Sequence, residues 1–193
     1  MKVKRMIRPL PWLFSVLLAG AVQASTELEL AAKAGRLAEV QALLEAGADV
    51  NGVDGDSVWE RTPLMVAVQG GHLAVVRHLL AKGADPAREG DATGSSPLRK
   101  AAYKGRIEIV EVLLAAGAAP DFDTDEYGRS PLVWALISDE ANTAAVVEAL
   151  LQAGAKRDAV LENPLTGEKK PAALLAREAG PAVEAVFNKY VTP

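Results

Sequence analysis

The sequence predicts an all-α protein, a solenoid of about five stacked helix-turn-helix units, and three observations carry that expectation. Proline recurs at Pro63, Pro97 and Pro131, 34 residues apart each time, and more loosely at Pro171. Glycine recurs at Gly47, Gly83, Gly117 and Gly154, spaced 36, 34 and 37, in the tetrapeptides Ala46-Gly47-Ala48-Asp49, Lys82-Gly83-Ala84-Asp85, Ala116-Gly117-Ala118-Ala119 and Ala153-Gly154-Ala155-Lys156. Between each of these prolines and the next such glycine, two short runs keep apolar residues at helical spacing. Neither run is long enough to be a stable helix alone, so each unit must bury its apolar face against its neighbours.

The stretch Thr62 to Pro86 shows how one unit is built. Thr62 can accept from the orphan amides that open a helix, and Pro63 at the first helical position gives up an N–H that would have had no partner. Leu64, Ala67 and Val68 fall on one face, and Gly70-Gly71 stops the helix after two turns or so. A second helix begins near His72, with Leu73, Val76, Leu79 and Leu80 as its stripe and Gly83 as the left-handed residue that ends it. The next copy reads Ser96-Pro97-Leu98, Ala101-Ala102, Gly105-Arg106-Ile107-Glu108-Ile109-Val110 and Leu113-Leu114. In these residues the chain resembles the ankyrin repeat family, and the resemblance covers essentially everything after the first 24 residues.

Taken in order, the chain opens with Lys2, Lys4, Arg5 and Arg8, an apolar run from Leu10 to Val22, and Val22-Gln23-Ala24 before Ser25. This reads as a secretory signal peptide over residues 1–24, the apolar run being shorter than the roughly 18 to 20 residues of a membrane span. The repeat domain then fills residues 25–193. Its first unit, about 26–51, lacks Thr-Pro-Leu; Ser25 or Thr26 is expected to cap a helix carrying Glu27 and Glu29 toward water, as a terminal cap requires, with Leu30, Ala31, Ala34, Leu37, Val40, Leu43 and Leu44 facing inward. Units at about 62–86, 96–121, 130–158 and 170–190 follow. The fourth has Pro131 and Gly154 23 residues apart instead of 20, the excess lying at Ser138 to Asn142, where an extra turn of its first helix could absorb it. The last, with Pro171, Ala172, Leu174, Leu175, Val183, Val186 and Phe187 between charged residues, reads as the closing cap.

The resemblance adds features that periodicity alone does not. It implies projecting β-hairpin fingers between units: after Gly47, at Asp85 to Ser95, at Asp121 to Arg129, and a longer, less regular one at Arg157 to Lys169. It also exposes a departure. Where the family has His after Thr-Pro-Leu, this chain has Met65, Arg99 and Val133, so the bonds between repeats associated with that His are lost.

The chain has 21 basic and 25 acidic residues and no cysteine. Removing residues 1–24 would take four basic residues and no acidic one, leaving 17 against 25, or −8. A chain this acidic does not seek nucleic acid or anionic lipid, and without cysteine it forms no disulfide, thiolate metal site or lipid-anchored cysteine. The expected address is the bacterial periplasm, with no membrane attachment after cleavage and a monomeric state.

Little in the chain could support catalysis. His72 and His78 are the only histidines, and their i, i+6 spacing puts them on different faces, against a dyad or a shared metal. Asp121, Asp123 and Asp125 alternate like the start of a calcium loop, but the position that needs glycine is Glu126 and the distal glutamate falls on Leu132. No catalytic residue, metal or cofactor is therefore expected. Trp134 replaces a buried aliphatic and is expected in the core. By resemblance, Trp59, Phe122 and Tyr127 sit on fingers and Tyr103 ends a first helix on the concave side, where ankyrin proteins vary to bind partners. The implied partner surface comprises Trp59, Arg61, Gln69, Tyr103, Lys104, Phe122, Asp123, Asp125, Glu126, Tyr127 and Arg129.

The resulting expectation is a protein-binding scaffold that inhibits, neutralises or stabilises a partner with a basic surface. The alternatives are an accessory protein supporting a periplasmic oxidative-stress enzyme, a role sometimes associated with bacterial relatives, or a calcium-binding or enzymatic protein.

Overall fold

The computed structural model describes residues 24–53, 61–88, 95–121, 129–163 and 165–190. Helix α1 covers residues 24–33. It is followed by α2 (Leu37–Glu45), α3 (Pro63–Gly70), α4 (Leu73–Ala81), α5 (Pro97–Tyr103), α6 (Ile107–Ala115), α7 (Pro131–Leu136) and α8 (Thr143–Gln152). Strands β1 (Val160–Glu162) and β2 (Lys169–Pro171) then lead into α9 (Ala172–Glu178) and α10 (Pro181–Lys189). The helices form two rows: α3, α5, α7 and α9 contact one another in turn, and so do α2, α4, α6, α8 and α10. This is the two-layer stack that the period predicts.

Local chemistry sets where each unit starts and stops. Thr62, Ser96 and Ser130 have extended backbones, and their hydroxyl oxygens accept from the amides of Met65, Arg99 and Val133 at 3.3, 3.2 and 3.4 Å. Each such cap is worth about 1 kcal/mol. After the second helices Gly47, Gly83, Gly117 and Gly154 have φ of 92, 88, 92 and 93°. That turn lets the next amide reach back across the helix end, as from Ala84 to the Leu79 carbonyl at 3.0 Å and from Ala155 to that of Leu150 at 2.9 Å. Side chains with a Cβ resist this conformation, so the periodic glycines are positional requirements.

Helix α3 is buried on every side from Pro63 to Val68, as a helix with neighbours on both flanks and behind must be. Behind it the stripe repeats as Val75, Val76 and Leu79, then Ile109, Val110 and Leu113, then Val146, Val147 and Leu150, all buried.

The first unit corrects three expectations. Leu28, Ala31 and Ala32 form the buried stripe of α1, whereas Leu30 is 53 % exposed and Ala34 is also exposed. At about 100° per residue, a helix that buries Leu28 and Ala32 turns Leu30 to the far side. Glu29 consequently faces inward and is buried, its carboxylate 3.7 Å from the Arg61 guanidinium. The helix already includes residue 24, so Ser25 and Thr26 lie within it rather than at its cap.

The fourth unit corrects another. Helix α7 ends at Leu136 and the extra residues form a loop, not a further turn. Side chains hold that loop: Ser138 Oγ donates to the Tyr103 carbonyl at 2.8 Å, Asn142 Nδ2 to the Gly105 carbonyl at 3.3 Å, and Thr143 Oγ1 to the Glu140 carbonyl at 2.7 Å. In the last unit Leu174 is 40 % exposed, while Ala172, Leu175, Ala176, Val183 and Phe187 are buried.

Other side chains supply bonds between units in place of those the missing histidine would make. Asn51 donates to the Gly83 carbonyl and accepts from the Asp85 amide, and Asp121 accepts from the Lys156 amide. The ring of His72 lies 3.0 Å from the Lys33 carbonyl. Of the four expected fingers, the fourth is described as a hairpin, with Val160 opposite Pro171 and Glu162 opposite Lys169. Residues 54–60, 89–94 and 122–128 of the other three lie outside the described residues.

Candidate functional site

Side chains from adjacent first helices meet where α5 passes α7. Tyr103 is the last residue of α5 and is 39 % exposed. Trp134, half-buried on α7, receives its ring edge-on, with centroids 5.0 Å apart and planes at 84°. Arg129, beside the capping Ser130, lies 4.8 Å from the Trp134 centroid, and Arg99 lies 6.0 Å from it. The Lys104 ammonium is 5.3 Å from the Tyr103 ring. An aromatic pair in this geometry contributes about 0.5–1.5 kcal/mol beyond the area it buries, and each cation over a ring about 0.5–1 kcal/mol.

The period explains why these residues converge. Arg99 and Tyr103 are four apart on α5 and share a face. Trp134 stands 34 residues after Lys100, in the same register, so the two sit on equivalent positions of neighbouring helices. Arg99 fills the place of the family's histidine: it is buried, and its Nε donates to Ser95 Oγ at 3.4 Å. Trp134 Nε1 is buried without a hydrogen-bond partner among the described residues.

The structure therefore joins three of the expected partner-surface residues, Tyr103, Lys104 and Arg129, into one cluster. Gln69 is exposed on α3, one period of 34 residues before Tyr103, and is not among the ring contacts of the cluster. Arg61 is half-buried and tied to Glu29, which makes it part of the first unit's packing. Trp59, Phe122, Asp123, Asp125, Glu126 and Tyr127 lie outside the described residues. The core placement of Trp134 is corrected, since its ring packs on Tyr103 and two arginines at a partly open face. Lys100, in the same register, was the signal in the sequence: a charged residue one period earlier marks a position that reaches toward water.

Among the described residues no group of three or more His, Asp or Glu side chains could hold a metal ion. None of the described helices is long and apolar enough to cross a membrane.

A two-row stack of capped helix pairs with side chains gathered along its first-helix row defines a helical-repeat scaffold. A family model for ankyrin repeats (3 copies) matches residues 15–90 and 86–160, and the chain belongs to that family. Ankyrin repeats generally serve protein–protein interaction, so the coarse role is that of a binding scaffold. Helices α9 and α10 continue the stack beyond the matched residues. No curated protein matches the chain.

Proposed function

We propose that the chain is exported to the bacterial periplasm and there grips a partner protein on its first-helix face, inhibiting, neutralising or stabilising it. The observation that carries this reading is the Tyr103–Trp134 pair, two large rings on a partly open face with an indole N–H that has no partner among the described residues. Rings of this kind, rimmed by arginine, are what interface anchors are made of. We read the partner as basic from the long-range field of the exported chain, whose 17 basic and 25 acidic residues leave −8 once residues 1–24 are removed. This field acts over the local positive charge of Arg99, Lys104 and Arg129 beside the rings.

The test is affinity capture from periplasm with the full-length chain, followed by titration of the partner recovered. Tyr103→Ala and Trp134→Ala should each weaken binding by about 1–3 kcal/mol. Glu111→Ala, on the exposed side of α6, should leave it unchanged. A partner indifferent to both ring substitutions overturns the assignment of the face. An intact Met1 on protein recovered from the periplasm overturns the cleaved leader.

A further inference from the structure

The residues added to the fourth unit build one wall of a cleft. It encloses about 740 Å³ between the end of α7 with the loop that follows it, the β1–β2 hairpin, and the facing ends of α9 and α10. Leu136, Ile137, Leu161, Leu175 and Val183 form an aliphatic floor. Around it stand Asp139, Glu140, Glu168 and Glu178, with Lys170 as the cation among the described lining residues. The Lys170 ammonium already donates to both Glu178 oxygens, at 3.0 and 3.2 Å. Four carboxylates against one paired ammonium leave the rim at −3.

The walls are set before anything binds. Ser138 and Asn142 tie the loop to the third unit. The hairpin is closed by the Asn163 amide donating to the Glu168 carbonyl at 2.8 Å, and its register puts Leu161 opposite Lys170. An occupant therefore meets a preformed surface and does not have to order it.

We infer that this cleft docks an extended segment of the partner protein in which apolar residues are flanked by lysine or arginine. The aliphatic floor rewards an apolar side chain that leaves water, and the rim attracts cations while repelling acidic segments. A free metal ion would leave the floor unfilled, and an anionic headgroup would meet three uncompensated charges. The inference rests on the scaffold reading and adds to it what kind of chain the scaffold holds at this end.

The experiment titrates the full-length chain into fluorescein-labelled Lys-Lys-Leu-Leu-Lys-Lys and follows anisotropy at an ionic strength of about 0.15 M, where long-range charge effects are screened. Saturable binding is expected, with Lys-Lys-Ser-Ser-Lys-Lys at least about tenfold weaker and Glu-Glu-Leu-Leu-Glu-Glu unbound. The double substitution Asp139→Lys with Glu140→Lys, at exposed positions, should weaken the leucine peptide about tenfold or more while circular dichroism stays unchanged. Glu111→Ala, on the exposed side of α6 and outside the cleft, should not change it. Equal binding of the serine and leucine peptides, or an unaffected double variant, overturns the cleft. A captured partner that responds to Tyr103→Ala but is not displaced by the leucine peptide overturns the cleft and leaves the scaffold standing. A bound peptide with no partner captured from the periplasm supports the cleft and overturns the periplasmic partner reading.

Discussion

Helices α5 and α7 open alike and close differently. Both start from a capping serine followed by Pro-Leu, and the Ser96 and Ser130 hydroxyls accept equivalent amides. Helix α5 ends through Lys104 and Gly105, whose φ of 59° turns the chain at once into α6. No glycine follows α7 until Gly154, so its chain cannot make that turn and leaves instead through residues 137–142. The tight turn is a property of one backbone position. The wide one is held by hydroxyl and amide groups that reach back to the preceding unit. One missing glycine thus replaces a compact corner with a wall, and the wall makes a cleft.

The strongest way to break this comparison is to ask whether the fourth unit is as tightly packed as the third. Leu113 in α6 and Leu150 in α8 are both fully buried. Replacing either by Ala should cost about 2–5 kcal/mol in urea unfolding, because the transfer loss is joined by a cavity. Equal losses would show that the wider loop does not loosen the core behind it. A Leu150→Ala effect below about half a kcal/mol would mean the fourth unit is softly packed, against the burial found here.

Next in size is Gly105→Ala. A Cβ at this residue would lie 2.7 Å from Glu140 Cβ, and φ is already in the left-handed region. The strain alone should cost about 1–2 kcal/mol, and the contact should add to it by pushing on the loop of the next unit. Hydrogen exchange should then speed up at the amides near Glu140 as well as at residue 105. Faster exchange confined to the third unit would show that the loop does not lean on it.

How much of this was legible beforehand follows the same division. The serine and threonine caps, the periodic glycines and the paired helices rest on contacts within a few residues, and the sequence displays such contacts directly. The phase of α1 was not legible because Leu28 and Leu30 each offer an apolar stripe, and packing against the next unit decides which turns inward; Glu29 then meets Arg61 on the buried side. The Trp134 cluster escaped for a related reason: Arg129 and Trp134 meet Arg99 and Tyr103 only through stacking, and an aromatic in an aliphatic position looks like core until its neighbour one period away is considered. The cleft was hidden because its loop depends on hydrogen bonds from Ser138 and Asn142 to another unit, which no local pattern encodes.

Ser138→Ala tests that dependence. It removes the bond to the Tyr103 carbonyl, and it takes away the oxygen that accepts from the Glu140 amide at 3.2 Å. The expected loss is about 0.5–1.5 kcal/mol. Because Tyr103 carries the ring that meets Trp134, tryptophan emission should shift along with stability. A stability loss with unchanged emission would separate the loop from the aromatic cluster.

The smallest effect concerns how the last unit is fastened. Lys189 donates to Glu148 Oε1 at 2.7 Å, and the Tyr190 hydroxyl lies 3.4 Å from the same oxygen, so α10 is tied to α8. The hydrogen bond from Lys189, and then its charge, hold the Glu148 carboxyl below the ordinary carboxylate range, while Glu148 raises the Lys189 ammonium by the same two causes. A depressed carboxylate contributes stability that is present above its unfolded pKa and disappears as pH falls through the lower folded value. A raised ammonium contributes stability that is present below its unfolded pKa and disappears as pH rises through the higher folded value. The fastening therefore acts across the neutral range and fails at both extremes. Solvent screens the exposed pair, so its contribution is small and shrinks with salt. The measurement is the difference in Tm between the native chain and Glu148→Gln, followed from neutral to acid. It should be a small stabilisation of the native chain at neutral pH that falls toward zero once Glu148 is protonated. A difference that stays constant into acid would show that Glu148 acts through packing of its side chain between α8 and α10, and the charge would then have no part in closing this end of the stack.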